Sequence, residues 1–433
     1  MSLSAEYREH FASVVGDERA AGRTLPAGSA QRRFVIGAKI SGEQTLVPYA
    51  FTLKPGTVSA GELRDRVRGL TLRHPALRCI VDHDPDTGLI TQRWLPEADV
   101  PWSEQDVGDA DDEASVIRSL LTAAMTAEAP EPVRAALLHG PGHLRLLLMF
   151  DHAVMDETSL RLATRDLFGS TRMPSPAERE AGWQEYRAAV WRWLAVEEAA
   201  ATEEGIAYWV ERLGPIAAAS SAALSPVAAG VAHPNGGRFV PAEVATVAVP
   251  SPAVRATLFP RLLAAAHMAL QAVDRAPSTV IYPWGARPDG MEDVVGCFMN
   301  TVLSGAAAVP GSTPGDSWTA FRAQWWRDLD HAGVPYDDVV LAVAEAVPSR
   351  WSGTARCVLV LEDVAGRAPI GPPSWQVAEW LPSWLAPKCA VNALARFDGS
   401  AMTLRVVTDP RDFPSVDRFV AAWQQQVAEH LSC

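Results

Sequence analysis

The feature that most constrains the fold is a pair of apolar runs in residues 133–150, VRAALLHGPGHLRLLLMF. Each run is short, and a Gly-Pro-Gly sequence, which breaks regular structure and is typical of a tight turn, separates them. The two runs are therefore predicted to be strands joined by that turn, in a sheet that the rest of the chain covers. His139 and His143 flank the turn. A tight turn accounts for this pair better than a two-histidine metal site does.

Helical and strand-like patterns alternate along both halves of the chain, which predicts an α/β fold. Residues 32–40, RRFVIGAKI, and 46–55, LVPYAFTLKP, are both predicted to be strands. Ser59 and Glu62 have the spacing of a capping box and predict the start of a helix.

The length of 433 residues is more than one compact core usually holds, so two domains are expected. We predict an N-terminal lobe at residues 1–172 and a C-terminal lobe at residues 173–433. Residues 214–237 are rich in Ala, Ser, Pro and Gly and are predicted to form an extended or mobile connection within the C-terminal lobe.

Composition excludes several classes of function. The formal net charge is −13, and no dense run of Lys and Arg offsets it, so neither nucleic acid nor an anionic membrane is an expected partner. No apolar run approaches the roughly 20 residues of a membrane helix, and the N-terminus lacks the features of a signal peptide. The cysteines are scattered without a CxxC pair, which is typical of free thiols in a reducing compartment. We therefore expect a soluble, cytoplasmic protein.

The apolar run that ends at Phe150 is followed at once by His152 and three carboxylates, those of Asp151, Asp156 and Glu157. A loop between a buried strand and a helix is a place where rigid elements often hold reacting groups. Histidine is the side chain best suited to proton transfer near neutral pH. The alternative is a structural histidine, with acidic side chains that cap the next helix and favour its dipole. The loop alone leaves both interpretations open.

Six segments, in this order along the chain, make the sequence resemble the condensation domains of nonribosomal peptide synthetases. This family is a branch of the HxxxD acyltransferase superfamily, which includes chloramphenicol acetyltransferase. The segments are GSAQRRF (28–34), LRHPALRCIV (72–81), FDHAVMDETS (150–159), IAYWVERLG (206–214), GARPDGMEDVVGCFMNTVL (285–303) and HAGVPYDDVV (331–340). The fifth segment, similar to the family's GRxxPEIEDMVGxFVNTLPL, is the most specific.

The resemblance implies two chloramphenicol-acetyltransferase-like lobes in a V-shaped pseudo-dimer with a central tunnel. It places the HxxxD loop at the centre of that tunnel. His152 takes the place of the family's catalytic histidine and Asp156 that of its structural aspartate. Arg287, in GARP, is then the expected salt-bridge partner of Asp156, because a buried carboxylate needs a cationic partner.

The chain departs from the family's HHxxxDG motif at two positions, since Asp151 replaces the first histidine and Glu157 replaces the glycine. Both carboxylates would favour the protonated form of His152, which opposes its action as a simple general base. Asp151 and Glu157 therefore help to bind a cationic acceptor, or share the proton transfer, or mark a lost reaction. The latch region near 360–385 also contains no recognisable DFGWG-like stretch.

The resemblance implies a free-standing condensation enzyme that joins an acyl thioester to an amine or alcohol. The thioester is presented on the phosphopantetheine of an acyl or peptidyl carrier protein in trans, or on coenzyme A, and no bound cofactor or metal is expected. A first alternative is a catalytically silent module that recruits another protein. A second alternative is an atypical cyclisation, hydrolysis or elimination on a carrier-bound substrate.

Overall fold

The computed structural model forms two compact units, each made of several chain segments. The first unit contains Met1–Glu198, Gly285–Met299 and Ala368–Pro382, and the second contains Ala199–Trp284, Asn300–Arg367 and Ser383–Cys433. The residues that the structure describes are 2–20, 23–97, 99–169, 172–221, 240–249, 257–274, 276–285, 287–307, 314–347, 351, 353, 355–365, 375–380, 389–408 and 413–432.

The first unit combines two sheets with helices. Its elements are α1 (Leu3–Ala20), β1 (Thr24–Pro26), α2 (Ser29–Ser41), β2 (Leu46–Leu53), α3 (Ala60–Arg73), β3 (Cys79–Asp84), β4 (Leu89–Trp94), β5 (Trp102–Asp106), α4 (Ala110–Met125), β6 (Val133–Gly140), β7 (His143–Asp151), α5 (Glu157–Gly169), most of α6 (Pro176–Ala200), and β12 (Trp375–Trp380). The larger sheet has the order β12-β2-β7-β6-β5, and the smaller has the order β1-β4-β3.

The second unit is built around one six-stranded sheet. Its elements are α7 (Glu203–Ser221), β8 (Val240–Ala248), α8 (Leu258–Asp274), β9 (Ser278–Trp284), β10 (Asn300–Ala306), α9 (Pro314–Asp330), α10 (Tyr336–Ala346), β11 (Cys357–Asp363), β13 (Val391–Phe397), β14 (Ala401–Thr408) and α11 (Val416–Ser432). The sheet has the order β10-β9-β11-β13-β14-β8. Its core includes the buried Phe397, Phe419 and Trp423.

The hairpin predicted from residues 133–150 is present as β6 and β7, which pair antiparallel with Gly140 opposite His143. Gly142 has a φ of +81°, a conformation that favours glycine and closes the turn. The middle of β7 is fully buried, because β7 lies between β2 and β6 and its apolar side chains enter the core of the first unit. The α/β fold class is confirmed, while the V shape and the tunnel stay predictions.

The predicted strand at residues 32–40 is wrong, because this segment lies within α2. The backbone N–H of Gly28 donates to Gln31 Oε1 at 2.9 Å at the start of the helix. Gly42 ends the helix in the left-handed conformation, with a φ of +74°. These end contacts favour a helix over a strand for an apolar run that is too short to distinguish the two by periodicity.

The predicted division at residue 172 differs from the observed units, because the first unit continues to Glu198. Helix α6 buries Trp183, Tyr186 and Trp193 in the core of the first unit, which explains why it belongs there.

The low-complexity connection predicted near 214–237 is wrong over its first residues. Residues 214–221 continue α7, with Pro215 inside the helix. Residues 222–237 lie outside the described residues. Among the helices that the structure describes, none is both long and apolar enough to cross a membrane.

Candidate active site

The loop after β7 begins where two neighbouring segments hold its backbone. The N–H of Asp151 donates to the carbonyl of Pro132 at 3.1 Å, and the N–H of His152 donates to the carbonyl of Thr45 at 2.9 Å. A short 3₁₀ turn, His152–Val154, then leads toward α5. The position of the loop is therefore set by the ends of the central strands of the sheet.

Gln31 of α2 fixes the same turn from the other side. Its side-chain Nε2 donates to the carbonyl of Ala153 at 2.7 Å and to Gln92 Oε1 at 3.1 Å. Tyr186 also donates to Gln92 Oε1, at 2.6 Å. The side chains of Gln31, Gln92 and Tyr186 therefore form a buried hydrogen-bonded network. Gln31 lies in the segment GSAQRRF, but the sequence assigns it no role, because the segment does not specify its distant partners.

The ring of His152 stacks on Phe34 of α2, with centroids 4.3 Å apart and an interplanar angle of 24°. The side chain is half-buried, so the imidazole is held on one face and keeps some access to solvent. An imidazole held in this way can transfer a proton to or from a bound group without first being ordered.

Asp156 and Arg287, which the resemblance pairs, form a buried ion pair. Arg287 Nη2 lies 2.6 Å from Asp156 Oδ1 and 2.7 Å from Oδ2, so one nitrogen serves both oxygens. The Asp156 side chain is 7% exposed and the Arg287 side chain is 5% exposed. The N–H groups of Ser159 and Phe298 also donate to the carboxylate, at 2.7 and 3.0 Å. The carboxylate therefore caps the start of α5 and ties that helix to the segment around Arg287.

Ser159 makes the second connection between α5 and the segment 285–299. Its hydroxyl donates to the carbonyl of Gly296 at 2.6 Å and accepts from the N–H of Gly296 at 2.8 Å. Arg287 Nη2 donates to the same hydroxyl at 2.7 Å. The sequence alone does not predict this role of Ser159, because a contact to a residue 137 positions away has no local signal.

Asp151 lies at the end of β7 and is only 7% exposed. Its Oδ1 accepts a hydrogen bond from the N–H of Ala153 at 2.8 Å, which closes the 3₁₀ turn. Burial raises the pKa of Asp151 to about 7, although the Ala153 N–H opposes the rise, and the nearby charge of Asp82 adds to it. This carboxyl can therefore change its charge near neutral pH.

Glu157 is the first residue of α5, and its side chain is exposed. A negative charge in the first turn is favourable to the helix dipole. The four loop residues Asp151, His152, Asp156 and Glu157 therefore have different surroundings, although they are close in sequence. Asp151 and Asp156 are buried, His152 is half-buried, and Glu157 faces solvent.

The two histidines that flank the β6–β7 turn pair with carboxylates. His143 Nε2 lies 2.8 Å from Glu113 Oε2, and His139 Nε2 lies 3.5 Å from Glu104 Oε2. Within the part of the chain that the structure describes, no group of three or more His, Cys, Asp or Glu side chains could hold a metal ion.

Several solved structures resemble this chain in fold. The X-domain from teicoplanin biosynthesis is 15% identical, with a TM-score of 0.68, over 94% of each chain. The epimerization domain from the third module of tyrocidine synthetase B is 13% identical, with a TM-score of 0.64, over 94% of this chain and 96% of that one. A four-domain nonribosomal peptide synthetase bound to AMP and glycine is 14% identical, with a TM-score of 0.65, over 94% of this chain and 33% of that one.

These identities are low, so the structural similarity establishes the fold alone. No protein among curated sequences matches the chain. The sequence model of one family, described as the condensation domain, matches residues 22–347, which is most of the chain. The family predicted from the six segments is confirmed: this chain belongs to the condensation-domain family.

Proposed function

We propose that the chain is a condensation-type acyltransferase of nonribosomal-peptide-like biosynthesis. It joins an acyl thioester to an amine or alcohol acceptor. A carrier protein presents the thioester in trans on its phosphopantetheine, or coenzyme A carries it. The observation that carries the proposal is the placement of His152, whose ring is stacked on Phe34 and whose backbone is bound to Thr45.

In the proposed reaction, His152 accepts the proton of the attacking amine or alcohol as its nitrogen or oxygen bonds to the thioester carbonyl carbon. The tetrahedral intermediate then expels the sulfur as a thiolate, which takes up a proton to give the free thiol. The chemistry needs no metal and no redox cofactor.

Asp156 and Arg287 are positioning residues in this proposal. Their ion pair and the hydrogen bonds around it hold the start of α5, which directly follows the turn that contains His152. Gln31 positions the same turn through the carbonyl of Ala153. Catalysis needs reacting groups to be held within a fraction of an ångström of the productive geometry, and contacts of this kind hold them there.

The proposal is tested by single-turnover assays with acyl-carrier-protein and acyl-CoA thioesters and a panel of amines and alcohols. Mass spectrometry of the products distinguishes amide, ester, hydrolysis and elimination products. The proposal expects an amide or ester with at least one donor and acceptor class. Hydrolysis or elimination alone would contradict it.

Glu157→Gln is a useful variant in the same assay. Glu157 is exposed, so a role in steering cationic acceptors predicts a rate change of less than about tenfold that fades at high salt. A much larger loss with every acceptor would instead place Glu157 in the proton transfer.

A second candidate is a module that binds another protein and does not catalyse a reaction. One solved structure of similar fold is a complex of an X-domain with OxyB, with a TM-score of 0.63 and 15% identity. The replacement of the first histidine by Asp151 also favours this candidate. Formation of a stable complex with a protein encoded by a neighbouring gene, together with no product from any thioester, would support it over the acyltransferase.

A further inference from the structure

A cavity of about 290 Å³ lies within the first unit, on the Asp151 side of the loop. Helix α2 contributes Phe34 and Lys39 to its walls, and β3 contributes Val81 and Asp82. His152 is not among the residues that line it. The imidazole therefore does not form part of the cavity wall, although Phe34, on which it stacks, does.

Asp151 is the buried polar group of this cavity. Its Oδ1 accepts the hydrogen bond from Ala153, and its Oδ2 accepts none from the residues that the structure describes. The side chain is 7% exposed and lines the cavity. The second oxygen is therefore the one that can contact a ligand in the cavity, and a hydrogen bond from a cationic donor to a carboxylate is stronger than one between neutral groups.

The charges around the cavity favour a cation. Three carboxylates line it, from Asp151, Asp82 and Glu128, against the single ammonium group of Lys39. Lys39 Nζ already lies 3.0 Å from Asp82 Oδ1 and is largely exposed. The carboxylates that remain without this partner are those of Asp151, which is buried, and Glu128, which is exposed.

The walls of the cavity favour a ligand with an apolar body. Phe34, Val35, Ala38 and Val81 contribute apolar surface close to the carboxylate. A pocket with apolar walls and one buried charged group typically orients a small amphiphilic ligand.

We propose that this cavity binds a small organic ammonium ligand, whose charged nitrogen contacts the Asp151 carboxylate and whose apolar body packs on Phe34 and Val81. Because Asp151 also closes the turn that contains His152, the ligand stabilises this turn. The proposal goes beyond the acyl transfer, since it concerns a site that does not include His152.

The test measures binding without any acyl donor, so its result is independent of the proposed reaction. The probes are cyclohexylamine, which is an ammonium ion at neutral pH, and cyclohexanol, its neutral counterpart of similar size. Isothermal titration calorimetry on the full chain at pH 8 gives the affinities. The expected result is that cyclohexylamine binds and that the dissociation constant of cyclohexanol is higher by about tenfold or more.

Asp151→Asn keeps an oxygen for the Ala153 N–H and should weaken the binding of cyclohexylamine by about tenfold or more. Asp86→Asn is the matched control, because it removes the same charge from the exposed turn between β3 and β4, outside the cavity. Ala38→Leu is a second variant that fills the cavity without touching Asp151, and it should also abolish binding.

Three results would overturn the proposal. They are no binding of cyclohexylamine at millimolar concentrations, equal binding of the two probes, and undiminished binding by both the Asp151→Asn and Ala38→Leu variants. Melting temperatures of each variant establish that the proteins compared are folded.

Discussion

At the scale of single residues, the loop contains two buried aspartates with opposite surroundings. Asp156 receives hydrogen bonds from Arg287 and from two backbone N–H groups. Asp151 receives one, from the N–H of Ala153. The hydrogen bonds to Asp156 thus offset the cost of burying its charge in the folded state, whereas the single hydrogen bond to Asp151 offsets only part of that cost.

Arg287→Met is expected to lower the free energy of unfolding by about 3 kcal/mol or more, because it leaves the buried charge of Asp156 without its cationic partner. Urea denaturation followed by circular dichroism measures the change. Arg165→Met is the matched control, since the Arg165 side chain is 57% exposed and pairs with Asp293 and Asp166, whose charges stay partly hydrated without it. The control should change stability by no more than about 1 kcal/mol. Similar changes in the two variants would contradict this account.

The stability of the protein should depend on the charge of Asp151. The folded-state pKa of about 7 lies above the ordinary aspartate pKa of 3.8, so the folded state holds this proton more tightly than the unfolded state does. The ionised carboxylate therefore destabilises the fold. This destabilisation is absent at pH values below the unfolded-state pKa, grows as the pH rises from the unfolded-state to the folded-state pKa, and is complete above a pH of about 7. Asp82, Lys39 and Glu128 are the other charged residues that line the same cavity.

Asp151→Asn removes this penalty. Compared with the wild type, the variant should gain a few kcal/mol of unfolding free energy at pH 8 and little at pH 4. Urea unfolding of both proteins at the two pH values measures this difference. A gain of equal size at pH 4 and pH 8 would mean that the charge of Asp151 is not its cause.

At the scale of secondary-structure elements, α2 explains both a failed prediction and part of the site. Its short apolar run did not distinguish a helix from a strand, and the contacts at its two ends decided in favour of the helix. Once helical, the segment places Gln31 and Phe34 against the loop that contains His152. The hairpin β6–β7 was predictable, because a long apolar pattern and a Gly-Pro-Gly turn agree with each other.

The glycines of α2 allow a test of its C-terminus. Gly42 has a φ of +74° with open space where a Cβ would lie, so Gly42→Ala should cost about 1 kcal/mol through the backbone alone. Gly37 lies inside the same helix, also with open space around the Cβ position. Gly37→Ala should stabilise the protein by about 0.5–1 kcal/mol. Thermal unfolding of the two variants checks these opposite signs, and equal signs would contradict the assigned conformations.

At the scale of the whole molecule, the chain leaves the first unit and later returns to it. The segment Gly285–Met299 brings Arg287 to Asp156, across 131 positions of sequence. No local pattern predicts such a contact, so that pairing came from the resemblance to a family. The contacts of Ser159 and Gln31 were missed, because the short motifs that contain these residues do not specify their distant partners.

The predicted lobe 1–172 should not fold by itself. It lacks the buried Trp183, Tyr186 and Trp193 of α6 and the segment around Arg287, all of which complete the first core. The isolated fragment is expected to unfold without a cooperative transition in urea, in contrast to the full chain. A cooperative transition of the fragment would mean that these side chains are not needed for the first unit.

The central claim is that His152 transfers a proton during acyl transfer, and the single-turnover rate constant of His152→Ala tests it most directly. With the donor and acceptor that the wild type uses, the variant should be about 10²–10⁴-fold slower. His83→Ala, at an exposed histidine of β3, should match the wild type. A folded His152→Ala variant that transfers the acyl group at the wild-type rate would contradict the claim.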